Sequence, residues 1–242
     1  MAKEGGALVP ERYAEDSYAF FKGYTGRLNG LSKSFIKNWE EGRRWPSCGV
    51  TGDDQAHSLV RVPLVVGRYF ADGDMEQKVT DAVRVHQDSY GAIDFANAFG
   101  EVLRRVVLGA SISEALKWGA FEKKPPLFDD QRVYVQLALG ELGADPREVV
   151  SKYGISCSLP GPFAGPLAIA FTNPTSFEKA VRANIFGGGD SCSRAAVLGS
   201  LLGAQGGVAG IPAAWKAKTT LYKEFEAAAD KIVDAAFASS GS

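Results

Sequence analysis

The residues best placed to do chemistry lie in one glycine-rich stretch, Phe186 to Arg194, which reads Phe-Gly-Gly-Gly-Asp-Ser-Cys-Ser-Arg. Three consecutive glycines allow backbone conformations closed to other residues and leave amide N–H groups free for a ligand. Asp190 follows at the point where a helix is predicted to begin. The N-terminus of that helix could bind an anion, or the oxygens of Asp190, Ser191 and Ser193 could bind Mg²⁺. A simpler interpretation is that Asp190 only caps its helix.

The glycine-rich stretch matches neither the dinucleotide-binding fingerprint nor the P-loop. The third glycine of a dinucleotide fingerprint falls on Cys192 and no strand precedes it, and no Gly-Lys-Ser/Thr follows as a P-loop requires.

The remaining candidates are the adjacent Asp53 and Asp54 in a glycine-rich loop, and the only two histidines, His57 and His86. Paired carboxylates suit a metal ion or proton transfer, although in such loops they are usually solvated turn residues. A Cys–His nucleophilic pair has no local signature here.

Composition limits the classes of partner. The chain has 242 residues, 45% of them hydrophobic, and a formal net charge of −1, so it lacks the basic surface that nucleic acids or anionic membranes attract. No apolar run reaches the length of a membrane span. Three widely spaced cysteines suit a reducing compartment better than a disulfide framework. We therefore predict a cytoplasmic protein, with an organelle left open, and no nucleic-acid or membrane partner.

Apolar residues recur at helical spacing along nearly the whole chain, which predicts an all-α fold. Ser111 with Glu114, and Asp145 followed by a proline, are typical helix starts. The β-branched run of residues 61–66 contains Pro63 and is left undecided between strand and helix. The clearest amphipathic patterns are those of Phe95, Phe99, Val102 and Val106; of Phe177, Ala180, Val181 and Ile185; and of Leu221, Phe225, Ala228, Ile232 and Ala236.

The glycine-rich stretch and the helical segment after it resemble the closing signature of the ADP-ribosylglycohydrolase family, in the branch that contains jellyfish J1 crystallin. The signature covers residues 187–196, then Gly199, residues 202–204 and Ile-Pro-Ala-Ala-Trp at 211–215. Shorter similarities lie at residues 21–26, 58–64, 85–88 and 159–163.

The resemblance implies an orthogonal multi-helix bundle around a cleft in which two Mg²⁺ ions hold ADP-ribose and activate water. The resemblance spans about residues 18–217, and we assign residues 18–238 to this helical domain and 1–17 to an N-terminal extension. Residues 239–242, which are serine and glycine only, are predicted to form a flexible tail. The family's opening helix and first Asp-rich segment have no counterpart here, so we expect an N-terminally incomplete bundle. The position of the missing helix is then expected to be covered by the segment from Ala7 to Phe21, by a second copy in a homodimer, or by a partner chain.

The resemblance also implies a set of site residues. Asp190 and Ser193 are expected at the metal position, where Cys192 replaces the family's second carboxylate and leaves Mg²⁺ weakly bound or absent. Arg194 beside them is expected to supply positive charge to a pyrophosphate without a metal. The residues predicted to contact ADP-ribose or a related nucleotide are Gly188, Gly189, Ser191, Arg194, His86, Asp53 and Asp54.

Three functions remain open at the level of sequence. The first is a binding protein for ADP-ribose or a related nucleotide whose hydrolase activity is impaired or lost, a pseudoenzyme. The second is an active Mg²⁺-dependent hydrolase that a missing segment or a partner chain completes. The third is a structural, crystallin-like protein without a ligand. Fold alone does not choose between them, because function depends on the site.

Overall fold

The computed structural model describes residues 1–239, and in that range the chain forms thirteen α-helices and one pair of two-residue parallel strands. The all-α prediction is confirmed. The helices are α1 (Pro10–Gly23), α2 (Gly30–Glu40), α3 (His57–Tyr69), α4 (Met75–Arg84), α5 (Tyr90–Val107), α6 (Ile112–Lys117), α7 (Asp129–Leu139), α8 (Pro146–Tyr153), α9 (Gly161–Thr172), α10 (Phe177–Phe186), α11 (Ser191–Gly206), α12 (Ala213–Lys218) and α13 (Tyr222–Ser239); the strands are β1 (Val50–Thr51) and β2 (Gln87–Asp88).

The core is built around three helices, α3, α5 and α9. The apolar face predicted for α5 is buried, with Phe99 and Val102 fully enclosed. Helix α9 is buried along residues 161–170, as expected of a helix that is apolar on every side and is surrounded by α7, α8 and α11. The undecided run around Pro63 belongs to α3, where the helix accommodates the proline.

The two ends of the described chain pack together on α3. The Leu8 amide N–H donates to the Tyr69 hydroxyl at 2.8 Å, and a side chain at Gly6 would collide with Ala235 of α13. The proposed division between an extension and a domain at residue 18 falls inside α1. Of the tail predicted to be flexible, only Ser239 is described, as the last residue of α13; residues 240–242 lie outside the described range.

One face of α11 stays uncovered within residues 1–239. A Cβ at Gly203 or Gly206 would meet no atom within 4 Å, and one at Gly199 would touch only the Phe177 ring, at 4.0 Å. A homodimer or a partner chain on this face stays a prediction. Of the helices in the described range, none combines the length and apolarity that a membrane span needs.

Candidate functional site

Three loops, each leading into a helix, meet at the candidate site. Residues 52–56 precede α3, residues 154–160 precede α9 and residues 187–190 precede α11. The middle loop binds the other two through its backbone, so it fixes their separation. The hydrogen bonds run from Asp190 N to Ile155 O at 2.8 Å, from Ala56 N to Cys157 O at 2.9 Å and from Leu159 N to Asp54 O at 3.0 Å.

The glycines of the third loop permit this contact. Gly188 and Gly189 have φ angles of 74° and 60°, in the left-handed region that side chains disfavour. A Cβ at Gly189 would lie 2.1 Å from the Ile155 carbonyl oxygen, whereas at Gly188 it would meet nothing within 4 Å. Gly189 is therefore required both by its backbone angle and by the close approach of the neighbouring loop.

Asp190 caps α11, as the simpler interpretation predicts. Its carboxylate accepts hydrogen bonds from the Ser193 amide at 3.2 Å and from the Ser193 hydroxyl at 2.6 Å. The two residues predicted to bind metal thus bind each other. Gly189 and Cys192 are exposed residues, and their amide N–H groups donate to no acceptor in the described range.

Asp53 and Asp54 bind different partners and do not act as a pair. One Asp53 oxygen accepts from the Gln55 amide at 3.1 Å and the Gln87 side chain at 2.9 Å, and the other accepts from the Gln55 side chain at 3.1 Å. Asp54 accepts a close hydrogen bond from Ser89, the N-cap of α5. Burial and the charge of Arg61 lower the pKa of His57, and the charges of Asp53 and Asp190 oppose that shift.

The side chains of this site do not fit as ligands of two Mg²⁺ ions. Amide and hydroxyl hydrogens already point at Asp53 and Asp190, whereas Mg²⁺ needs lone pairs free of donors in an octahedral arrangement. Cys192, at the position of the family's second carboxylate, is exposed, and thiol sulfur is a poor ligand for so hard an ion. Within residues 1–239 no three His, Cys, Asp or Glu side chains are grouped to hold a metal ion.

The structure corrects the role expected of Arg194. The side chain is completely buried, and its guanidinium donates to the Asn184 side-chain oxygen at 2.8 Å and, closely, to the Gly188 carbonyl oxygen. Burial lowers the pKa of Arg194, opposed by the charge of Asp190. The remaining nitrogen, Nη1, is also buried and has no hydrogen-bond partner in the described range. Arg194 therefore fixes the glycine loop from behind and presents no charge to the cleft.

His86 is likewise a core residue and not a ligand contact. It is 2% exposed, and neither ring nitrogen has a hydrogen-bond partner in the described range. The rings of Tyr13, Phe21 and Phe35 surround it, with centroids at 5.2, 5.9 and 4.8 Å. Burial, reinforced by the charge of Arg61, holds the pKa of His86 well below its usual range. The imidazole is therefore neutral in the folded protein.

This buried imidazole should make stability depend on pH. Because the unfolded chain takes up the proton below a pKa of about 6.5 and the folded chain does not, the free energy of unfolding falls as pH drops below that value. The slope due to His86 should approach about 1.4 kcal/mol per pH unit. Urea unfolding of wild type and His86→Phe from pH 7.5 to 5 measures it, and the variant should show a shallower decline. Equal slopes would contradict a neutral buried His86.

His57 is the residue that the sequence did not assign to the site. It begins α3, and the charges of Asp53 and Asp190 both raise its pKa, although burial and the charge of Arg61 prevail and lower it. The Asn29 side-chain nitrogen lies 3.3 Å from the His57 Nε2 atom. The sequence feature that could have indicated His57 is its position four residues after Asp53, at the start of a helix.

The helical fold and the three-loop site together define the class of this protein. The family model of ADP-ribosylglycohydrolase matches residues 2–241, and the chain belongs to that family. The solved structure of an ADP-ribosylglycohydrolase-related protein complex has the same fold, with a TM-score of 0.73 at 20% identity over 94% of this chain and 75% of that chain.

Two curated relatives are crystallins of Tripedalia cystophora, which agrees with the branch that the sequence resembles. Crystallin J1A is 28% identical over 186 residues, equal to 75% of this chain and 56% of that protein. Crystallin J1B is 28% identical over 187 residues, equal to 76% of this chain and 56% of that protein. The chain thus spans little more than half the length of these relatives.

Proposed function

We propose that this chain binds ADP-ribose or a related nucleotide at the three-loop site, and that by itself it does not hydrolyse the bound molecule. The observation that carries the proposal is the set of backbone hydrogen bonds that holds the loops of Asp53 and Asp190, both half-buried, against the middle loop beside the N-terminus of α11. Membership of the ADP-ribosylglycohydrolase family supports the choice of ligand.

The carboxylates suit the ribose part of such a ligand. A ribose carries neighbouring hydroxyl groups, which donate hydrogen bonds, and a carboxylate oxygen can accept more than one. Asp190 keeps acceptor capacity after binding Ser193, because only one donor reaches each of its oxygens. Hydrogen bonds to a charged acceptor are stronger than those between neutral groups, so these contacts should contribute strongly to affinity.

The start of α11 suits the phosphate part. Gly189 and Cys192 are exposed residues at the N-terminus of a sixteen-residue helix, where the helix dipole favours negative charge. Asp190 already stands at this end, so its charge opposes a nearby anion. We therefore place the phosphates at the amides of Gly189 and Cys192, and the ribose at the Asp190 carboxylate.

The same loops argue against hydrolysis by this chain alone. Water has to be activated by a base or a metal ion, and every carboxylate oxygen of Asp53 and Asp190 already accepts at least one hydrogen bond, so too few lone pairs remain to hold two Mg²⁺ ions. Mg²⁺ is accordingly expected to bind no more tightly than about millimolar, as for a site without several free carboxylates. The second candidate, a Mg²⁺-dependent hydrolase completed by further residues or a partner chain, rests on family membership.

Calorimetric titration with ADP-ribose tests the proposal. Wild type should bind in EDTA and in MgCl₂ alike, and Asp190→Asn and Asp53→Asn should each weaken binding about tenfold, since each keeps the side-chain shape and removes the charge. Asp129→Asn is the matched control: this exposed carboxylate lies in the first turn of α7, and its loss should leave affinity unchanged.

Three results would contradict the proposal in different ways. No heat of binding at millimolar ADP-ribose would leave a structural role for the chain. Equal affinity in wild type and both site variants would place the ligand elsewhere. Release of ADP-ribose from a modified protein, dependent on Mg²⁺ and lost in Asp190→Asn, would establish the hydrolase.

A further inference from the structure

A second, largely apolar cavity lies between α3, α13 and the first residues of the chain. Its volume is about 720 Å³, within the range typical of small-molecule sites. All described residues that line it are apolar except Tyr13, His57 and Arg61. The apolar walls come from both sides of the gap, including Leu8, Val60, Leu64, Phe225 and Ile232.

The three polar residues form one connected group at this cavity. The Arg61 Nε atom donates to the Tyr13 hydroxyl at 3.0 Å, and Arg61 Nη1 donates closely to the His57 carbonyl oxygen. These bonds fix the guanidinium plane on the cavity wall. The Tyr13 hydroxyl accepts from Arg61 and donates to no group in the described range, so its proton is free for a ligand.

Arg61 carries a charge that no carboxylate neutralises. No Asp or Glu oxygen of residues 1–239 lies within 4.0 Å of it, although thirteen such ion pairs occur in that range. Its Nη2 atom makes no hydrogen bond there. After burial, the charge of Arg61 is the largest cause of the lowered pKa of both His57 and His86. A half-buried cation beside apolar walls is complementary to an anionic head on an apolar body.

We propose that this cavity binds a carboxylic acid with an alkyl tail, whose carboxylate contacts Arg61 and the Tyr13 hydroxyl while its tail packs between α3 and α13. Guanidinium and carboxylate match as a fork of two parallel hydrogen bonds, and Arg61 retains the Nη2 hydrogens and the second Nη1 hydrogen for this. The exposed parts of Val60 and Leu64, 47% and 51% of their surfaces, would be covered by the tail. The inference does not rest on nucleotide binding at the three-loop site, with which the cavity shares His57.

Titration with sodium decanoate, with 1-decanol as the neutral analogue, tests the proposal on the full chain. Wild type should bind decanoate at least about tenfold more tightly than decanol, because only the acid pairs with the guanidinium. Arg61→Met keeps the alkyl stem and should remove this preference. Tyr13→Phe, which keeps the ring, should weaken decanoate binding severalfold and preserves the test if Arg61→Met does not fold.

Matched controls lie on the same elements or carry the same charge. Ala228 lines the cavity and Ala227 is exposed beside it on α13, so Ala228→Phe should abolish binding of both ligands and Ala227→Phe should not. Arg105→Met, at an exposed arginine of α5, should leave binding unchanged. The proposal is overturned if decanoate fails to bind, if Arg61→Met and Tyr13→Phe keep the full preference for the acid, or if sedimentation shows a second copy of the chain filling the cavity.

Discussion

Replacing Gly189 by alanine should lower the free energy of unfolding by about 3 kcal/mol or more, because two penalties add. The first is the left-handed backbone angle of 60°, which costs a residue with a Cβ about 1–2 kcal/mol. The second is a collision, since the new methyl group would lie 2.1 Å from the Ile155 carbonyl oxygen, which cannot rotate away. The loops at residues 154–160 and 187–190 must then separate.

Gly188→Ala is the internal control for this prediction. Gly188 has a similar φ of 74° but open space where a Cβ would stand, so only the backbone penalty of about 1–2 kcal/mol applies. Urea unfolding of the two variants measures the difference, and titration with ADP-ribose shows whether the site is lost with Gly189. Equal destabilisation would mean that the loop contact adds nothing to stability.

Arg194→Ala should cost a comparable amount, about 3–5 kcal/mol, although it changes a charged residue at the start of a helix. Arg194 is wholly buried, so truncation leaves a cavity beneath α11. It also leaves two acceptors without their donor, the Asn184 side-chain oxygen and the Gly188 carbonyl oxygen. Asn184 is itself 0% exposed. Buried acceptors without donors are expensive, because they have left water and gained no partner.

Arg182→Ala provides the comparison with an ordinary surface arginine. Arg182 pairs with Glu178 one turn away on α10, with a side chain that is 65% exposed, and such pairs contribute about 0.5 kcal/mol or less. Thermal unfolding of both variants measures the contrast. An unchanged melting temperature in Arg194→Ala would restore this residue as a candidate ligand contact.

Periodicity and capping patterns predicted most of the helical framework. The capping box at Ser111 and the Asp145 cap before Pro146 are present as expected, since both depend on neighbours along the chain. Helix α10 begins at Phe177, the first residue of its predicted amphipathic pattern, and Ser176 supplies the cap. Asp190 was correctly weighed as a cap for the same local reason.

The roles of Arg194, His86 and Asp54 depended on contacts that no local pattern encodes. Arg194 looks exposed beside a polar loop, yet its helix turns it inward towards α9 and α10, where Gly165 leaves room for it. His86 precedes a strand of only two residues, and aromatic side chains from α1 and α2 enclose it. Such burial arises from packing between distant segments, which spacing along the chain does not reveal.

The backbone bonds that join the three loops also determine when the site can form during folding. Cys157 contacts Gln55 across 102 residues, and Asp190 reaches the same loop from a third region of the chain. Closing loops of this length costs conformational entropy that local helix contacts do not, so the pairing of α3, α4 and α5 can precede it. We therefore expect a nascent or partly unfolded chain to form much of its helical core before it has a site, so that ligand binding reports on completed folding.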